Sequence, residues 1–187
     1  MIRDNVLPYG SAYPTLEDDV YVAPGAWVIG DVIIGEESSI WFNTVVRGDE
    51  HYIRIGSQTN VQDNSTLHVT GGKFPLIIGS RITIGHRAIV HGCIVEDDCL
   101  IGMGAIIMDG VRVGRGSLVA AGSVVIPGTI VPPGSVVMGV PAKVRKQVGE
   151  AESELIRSSV SNYLELARNH SSPHLPGVEM KVKGFLG

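Results

Sequence analysis

The chain has 187 residues, of which 44% are hydrophobic, 5% aromatic and 24 glycine, so any core must be filled by Val, Ile and small side chains. That favours many short strands with tight corners over a helical bundle. The net charge of −4 argues against a nucleic-acid partner, which needs a basic face, and Cys93 and Cys99 form no disulfide framework, which suits a reducing compartment.

No charged, apolar leader opens the chain and no apolar run approaches the ~20 residues of a membrane span, so the expectation is a soluble, cytoplasmic protein with no membrane partner. After a short lead-in, Val22, Val28, Ile34, Ile40 and Val46 recur every six residues. Ile55, Val61 and Leu67 follow after three extra residues, and Ile78, Ile84 and Val90 after five more, around Gly71, Gly72, Lys73, Phe74 and Pro75. One residue is missing before Val95, and then Ile101, Ile107, Val113, Val119, Val125, Val131 and Val137 keep the period unbroken. Insertions at the corners of a repeat architecture are where function is usually carried.

Small residues such as Ser38, Thr44, Thr59, Ser65, Ala88 and Ala105 stand four positions after many of these aliphatics, an even offset that keeps both on one strand face. Glycine often follows the aliphatic directly, as at Gly35, Gly56, Gly79, Gly85, Gly102 and Gly114, giving backbone freedom or close approach near corners. The simplest solid with this pattern is a triangular prism, one hexapeptide per side, of about six coils.

The period stops after Val140, Pro141, Ala142 and Lys143. From about Glu150 to Asn169, Leu155, Ile156, Val160, Tyr163, Leu164 and Ala167 fall at helical spacing, which predicts a helix along the outside of the prism. The expected division is therefore a β-helix with its lead-in over 1–145 and a helix with an extended tail over 146–187. Trp27 and Trp41 read as surface or interface contacts, and His170 and His174 as tail residues.

The register also places histidines. His68 follows Leu67 and His91 follows Val90, three hexapeptides apart, so they stack one coil apart on one face. Strands ~4.8 Å apart let two imidazoles share an ion bonded at ~2.0–2.1 Å. Arg47 belongs to the same column. His86 lies on the preceding face, roughly 16 Å of extended chain from His91, and cannot reach that ion within one chain. A second chain can bring it there if one face packs on the other, a heterologous contact that closes most simply as a threefold ring. Asp63, one coil below His86, would then meet Arg47 of the neighbour. His51, in the first insertion, is a weaker candidate, and Cys93 reads as a small filler.

The string Arg47-Gly48-Asp49, Asn60-Val61-Gln62-Asp63, Leu67-His68, Gly85-His86 and His91-Gly92-Cys93 resembles the signature of γ-class carbonic anhydrases, across roughly residues 10 to 145. The resemblance implies an all-β, left-handed parallel β-helix with a C-terminal α-helix. It also implies a homotrimer with metal sites between subunits. His68, His86 and His91 would bind Zn2+, or another divalent ion such as Fe2+ or Co2+. The reaction implied is reversible hydration of carbon dioxide to bicarbonate by a metal-bound hydroxide, which zinc makes available near pH 7. In such proteins Gln62 would hydrogen-bond the bound species, Asn60 would orient it, and Arg47 and Asp63 would bridge subunits with support from Asp49. Arg47, Asp49 and Asp63 read equally well as purely structural. Some members of that family carry an acidic loop between the first two ligand positions, whereas Val69 to Pro75 lacks a carboxylate here; the resemblance then makes Glu50, which matches a shuttle position of the family, the candidate proton shuttle. Tyr163 either reaches the pocket or packs the helix, and its spacing favours packing.

Two other functions fit the same repeat. An acyl-CoA acyltransferase or thioesterase would explain Gly139-Val140-Pro141-Ala142-Lys143, although it needs no three-histidine set. A metal-binding homologue with little activity would explain the missing acidic loop. Fold does not decide among them.

Overall fold

The computed structural model describes residues 4–171. Their strands stack as coils of a parallel β-helix, as the six-residue count predicts. One face carries Tyr21–Val22, Ser39–Ile40, Asn60–Val61, Thr83–Ile84, Leu100–Ile101, Leu118–Val119 and Ser135–Gly139. Two long strands, Trp27–Ile34 and Val45–Ile55, bend round a corner and serve both other faces. The first half of Val45–Ile55 pairs with Thr66–His68, which leads to Ile89–His91, Ile106–Ile107 and Val124–Val125. Its second half pairs with Leu76–Ile78, which leads to Ile94–Val95, Arg112–Val113 and Ile130–Val131. In the lead-in, Val6–Leu7 and Thr15–Leu16 pair with the two halves of Trp27–Ile34 and begin the first coil.

The periodic aliphatics fill the prism. Val28, Ile34, Ile40, Val46, Val61, Leu67, Ile84, Val90, Ile101, Ile107 and Val119 are all fully buried in one continuous cluster. Each such side chain contributes roughly 1.5–3 kcal/mol relative to exposure. The small residues also point inward, and their hydroxyls climb from coil to coil. Ser38 donates to the Gly56 carbonyl (2.8 Å), Thr44 to Gln62 (2.8 Å), Thr59 to Gly79 (2.9 Å) and Ser65 to Gly85 (3.1 Å). They satisfy corner carbonyls that the short strands leave unpaired.

The glycines divide by role. Those directly after an aliphatic have no left-handed backbone. They allow coils to touch: a Cβ on Gly102 would stand 2.5 Å from the Ala121 nitrogen, and one on Gly85 2.6 Å from the Met103 nitrogen. The left-handed positions come two residues later, at Gly104, Gly110, Gly116, Gly122, Gly128 and Gly134, and are taken by Asn43, Gln58, Asn64, Arg81, Arg87 and Asp98 in other coils. Each coil corner needs a positive φ, which glycine adopts without steric cost.

Three features differ from the expectation. The three extra residues after Val46 form no loop. They lie within the strand Val45–Ile55, which pairs along Trp27–Ile34 with a register shift between Gly30 and Val32. Second, Ala142–Gln147 turns back antiparallel onto Ser135–Gly139. The loss of the six-residue period hides this strand, and the expected division at 145/146 falls inside it. Third, Trp41 is only 4% exposed: it lies under the helix, its ring 5.2 Å from that of Tyr163 and 5.3 Å from that of Tyr21. Trp27 does stand at the surface.

The helix Glu150–Ser171 begins at the expected residue and packs on the first face, against Ser39–Ile40 and Thr83–Ile84. Its start is capped by Glu152, whose carboxylate accepts from the Gly149 N–H at 2.9 Å. Ile156, Val160 and Ala167 are buried against the prism, whereas Leu155 is half exposed. His170 belongs to the last turn, its ring 5.2 Å from Trp41. His174 and the expected tail lie outside the described residues. Among the described residues no helix is long and apolar enough to cross a membrane.

Candidate metal centre

Strand pairing reproduces the predicted column. Val46 pairs with Leu67, Leu67 with Val90 and His68 with His91, so Arg47, His68 and His91 rise on one face, one per coil. His68 and His91 meet directly: Nδ1 of His68 lies 3.0 Å from Nε2 of His91. The outer nitrogen of each ring faces a carboxylate. Asp49 Oδ1 is 3.0 Å from His68 Nε2, and Asp109 Oδ1 is 2.6 Å from His91 Nδ1. Arg47 binds the other oxygen of Asp49 within its own chain. Burial opposes ionisation of Asp49, but the hydrogen bonds from Arg47 and His68 outweigh it and hold its carboxyl below the usual range.

This arrangement suits a metal ion. Two nitrogens across a tetrahedral ion with bonds of ~2.0–2.1 Å stand ~3.3 Å apart, close to the His68–His91 separation. A carboxylate on the far nitrogen fixes tautomer and ring orientation, the usual support of a metal-binding histidine. Among the described residues of one chain, no group of three or more His, Cys, Asp or Glu side chains closes round a single ion.

His86 belongs to another face, in the turn after Thr83–Ile84. Its Nδ1 lies 2.8 Å from Asp63 Oδ2, and its Nε2 lies 3.4 Å from the Tyr163 hydroxyl. Tyr163 thus both packs on Trp41 and reaches a candidate ligand. Burial and the nearby Asp63 carboxylate push its phenol upward, which keeps the hydroxyl protonated. The Gln62 amide is buried and engaged at both ends: its oxygen accepts from the His86 N–H (3.2 Å), and its nitrogen donates to Asn60 Oδ1 (3.1 Å). Asn60 donates in turn to Thr83 Oγ1 at 2.9 Å.

Glu50 is exposed and accepts from the Gly71 N–H at 3.1 Å, so it ties the two insertions together. His51 turns its Nδ1 to the Tyr52 N–H, 2.9 Å away. Cys93 is buried, and burial followed by the Asp109 charge pushes its thiol far up; it packs as a filler. Sequence reasoning missed Asp109. The available signal was the short coil: Val90 pairs with Ile107 seventeen residues on, so Asp109 stands over Gly92, one step past the level of His91.

The comparisons agree with this architecture. Residues 92–127 match the model "Bacterial transferase hexapeptide (six repeats)", and residues 75–107 match "Hexapeptide repeat of succinyl-transferase". The chain is 46% identical over 171 residues to gamma carbonic anhydrase 2, mitochondrial, of Arabidopsis thaliana, covering 89% of this chain and 62% of that protein. It therefore spans about three fifths of that relative's length. It is 47% identical over 157 residues to a Methanocaldococcus jannaschii protein named "Probable carbonic anhydrase", covering 84% of this chain and 98% of the relative. A crystal structure of a hexapeptide transferase family protein from Anaplasma phagocytophilum superimposes with a TM-score of 0.86 at 38% identity, covering 90% of this chain and 99% of that one. The chain belongs to the γ-carbonic-anhydrase-like family of hexapeptide-repeat proteins.

Proposed function

We propose that the protein catalyses reversible hydration of carbon dioxide to bicarbonate at zinc sites shared between the subunits of a homotrimer. The observation that carries this reading is the His68–His91 pair, 3.0 Å apart, with each outer nitrogen on a carboxylate. His86 of a neighbouring subunit completes the ligand set, and Asp63 fixes its ring through Nδ1. Zinc held by three imidazoles supplies the Lewis acidity that makes water a nucleophile near neutral pH.

The remaining work falls to this chain's own groups. Tyr163 offers a protonated hydroxyl beside His86. Gln62 and Asn60, a buried amide pair next to the same histidine, orient the reacting molecule in this reading. Arg47 and Asp49 hold His68 from below, and the guanidinium is exposed enough to meet Asp63 of a neighbour. Glu50, at the surface between the two insertions, takes protons to buffer. Reading the protein as an acyl transferase draws on the string from Gly139 to Lys143, on the transferase-named repeat models and on the likeness to the transferase-family structure, and leaves the paired histidines and their carboxylates without a task.

Stopped-flow carbon dioxide hydration tests the proposal. Zinc-loaded wild type should turn over and His91→Ala should lose at least ~100-fold, the range for removing a principal catalytic group. Equal inertness of the two, with consumption of an acyl-CoA, would replace this reading with the transferase one.

A further inference from the structure

We infer that Asp109 is the positioning carboxylate of His91, and that the loop after His68 holds it in place through Thr70. The inference rests on the metal-binding reading of His91 and adds a residue to it.

The geometry is a continuous chain of contacts. Thr70 Oγ1 donates to Asp109 Oδ2 at 2.9 Å, and Asp109 Oδ1 faces His91 Nδ1 at 2.6 Å. With the imidazole neutral and its proton on Nδ1 toward Asp109, the Nε2 lone pair is left facing His68. Thr70 is itself fixed: its N–H donates to the Phe74 carbonyl, and its carbonyl accepts from the N–H of Phe74, each at 3.1 Å. The five residues inserted between Leu67 and Ile78 thus close into a small loop that delivers one hydroxyl to one carboxylate.

A second observation is independent of those bonds. Gly92, directly after His91, has φ +48°, and a Cβ there would stand 2.3 Å from Asp109 Oδ1 and 2.8 Å from Phe74 Cβ. The space a side chain would occupy is taken by the carboxylate reaching down one coil and by the inserted loop. The backbone reinforces the approach, since the Gly110 N–H donates to the Gly92 carbonyl at 2.8 Å.

The test uses the full-length protein, with zinc affinity measured by chelator competition and histidine tautomers read by 15N NMR on the metal-free form. Asp109→Asn should weaken zinc by about 10- to 100-fold, the usual loss for a second partner of a metal-binding histidine. It should also move the His91 proton off Nδ1 without lowering the unfolding midpoint of the metal-free protein. Thr70→Val should give a smaller loss of affinity, and Thr70→Ser should restore it. Wild-type affinity and an unchanged His91 tautomer in Asp109→Asn would overturn the inference while leaving the metal reading intact. Failure of wild type itself to take up zinc would overturn both.

Discussion

The Tyr163 hydroxyl stands 3.4 Å from Nε2 of His86, so the C-terminal helix touches a residue that the strand register alone would leave at the surface. The same ring lies edge-on to Trp41, with centroids 5.2 Å apart. The two roles separate by substitution. Tyr163→Phe keeps the ring contact and should cost under about 1 kcal/mol of stability, the usual net value of one hydrogen bond, while lowering hydration turnover several-fold. Tyr163→Ala removes the ring as well and should cost ~2–4 kcal/mol. Urea unfolding and stopped-flow hydration on the same preparations check both.

Glu50 gives a buffer-dependent expectation. Its exposed carboxylate can pass protons to solvent, and its bond to Gly71 keeps it beside the inserted loop. Glu50→Ala should slow hydration at least ~10-fold in dilute buffer and approach the wild-type rate as imidazole buffer is raised. A rate equal to wild type at every buffer concentration would remove Glu50 from the proton path.

The two classes of glycine should respond differently to alanine. Gly102→Ala drives a Cβ into the backbone of the next coil, 2.5 Å from the Ala121 nitrogen, and should cost 2 kcal/mol or more, on the order of an overpacked core. At Gly104 nothing lies within 4 Å, and only the left-handed φ of +67° opposes a side chain, so Gly104→Ala should cost ~1–2 kcal/mol. Gly104→Asn should cost less, because asparagine tolerates that conformation. Thermal or urea unfolding gives the ranking directly.

Buried thiols set a limit at high pH. Burial pushes Cys99 up to about 12 from an ordinary 9 and pushes Cys93 higher still. Unfolded thiols lose protons from about pH 9 while the folded ones keep theirs. The stability associated with the protonated thiols is therefore complete below pH 9 and falls as pH rises from 9 toward 12. Unfolding midpoints measured from pH 8 to 11 should decline less in Cys93→Ala/Cys99→Ala than in wild type. In the native protein neither thiol should react with a disulfide reagent at pH 8 until it unfolds.

Much of the fold was legible because one side-chain spacing fixes it. An aliphatic every six residues fills the prism, and the same count stacks His68 under His91 and puts Arg47 below them. What the count missed is made of contacts between coils or after the repeat ends. Asp109 reaches His91 from one coil away, and Tyr163 reaches His86 across 77 positions, neither marked by local spacing. Trp41, expected as a surface or interface contact, is covered by a helix of its own chain that no hexapeptide spacing announces. Ala142–Gln147 pairs antiparallel beside the last coil, so the six-residue rule does not apply to it.

In the proposed function one subunit opens the metal site and its neighbour closes it, and subunit mixing separates the two halves. His86→Ala and the double variant His68→Ala/His91→Ala should each bind no zinc alone. Unfolded together and reassembled in equal amounts, they should regain zinc at about one quarter of the interfaces, the fraction at which chance pairs intact faces in a closed ring. A mixture that stays metal-free while wild type treated the same way recovers its zinc, or a monomer that holds zinc through all three histidines, would contradict it.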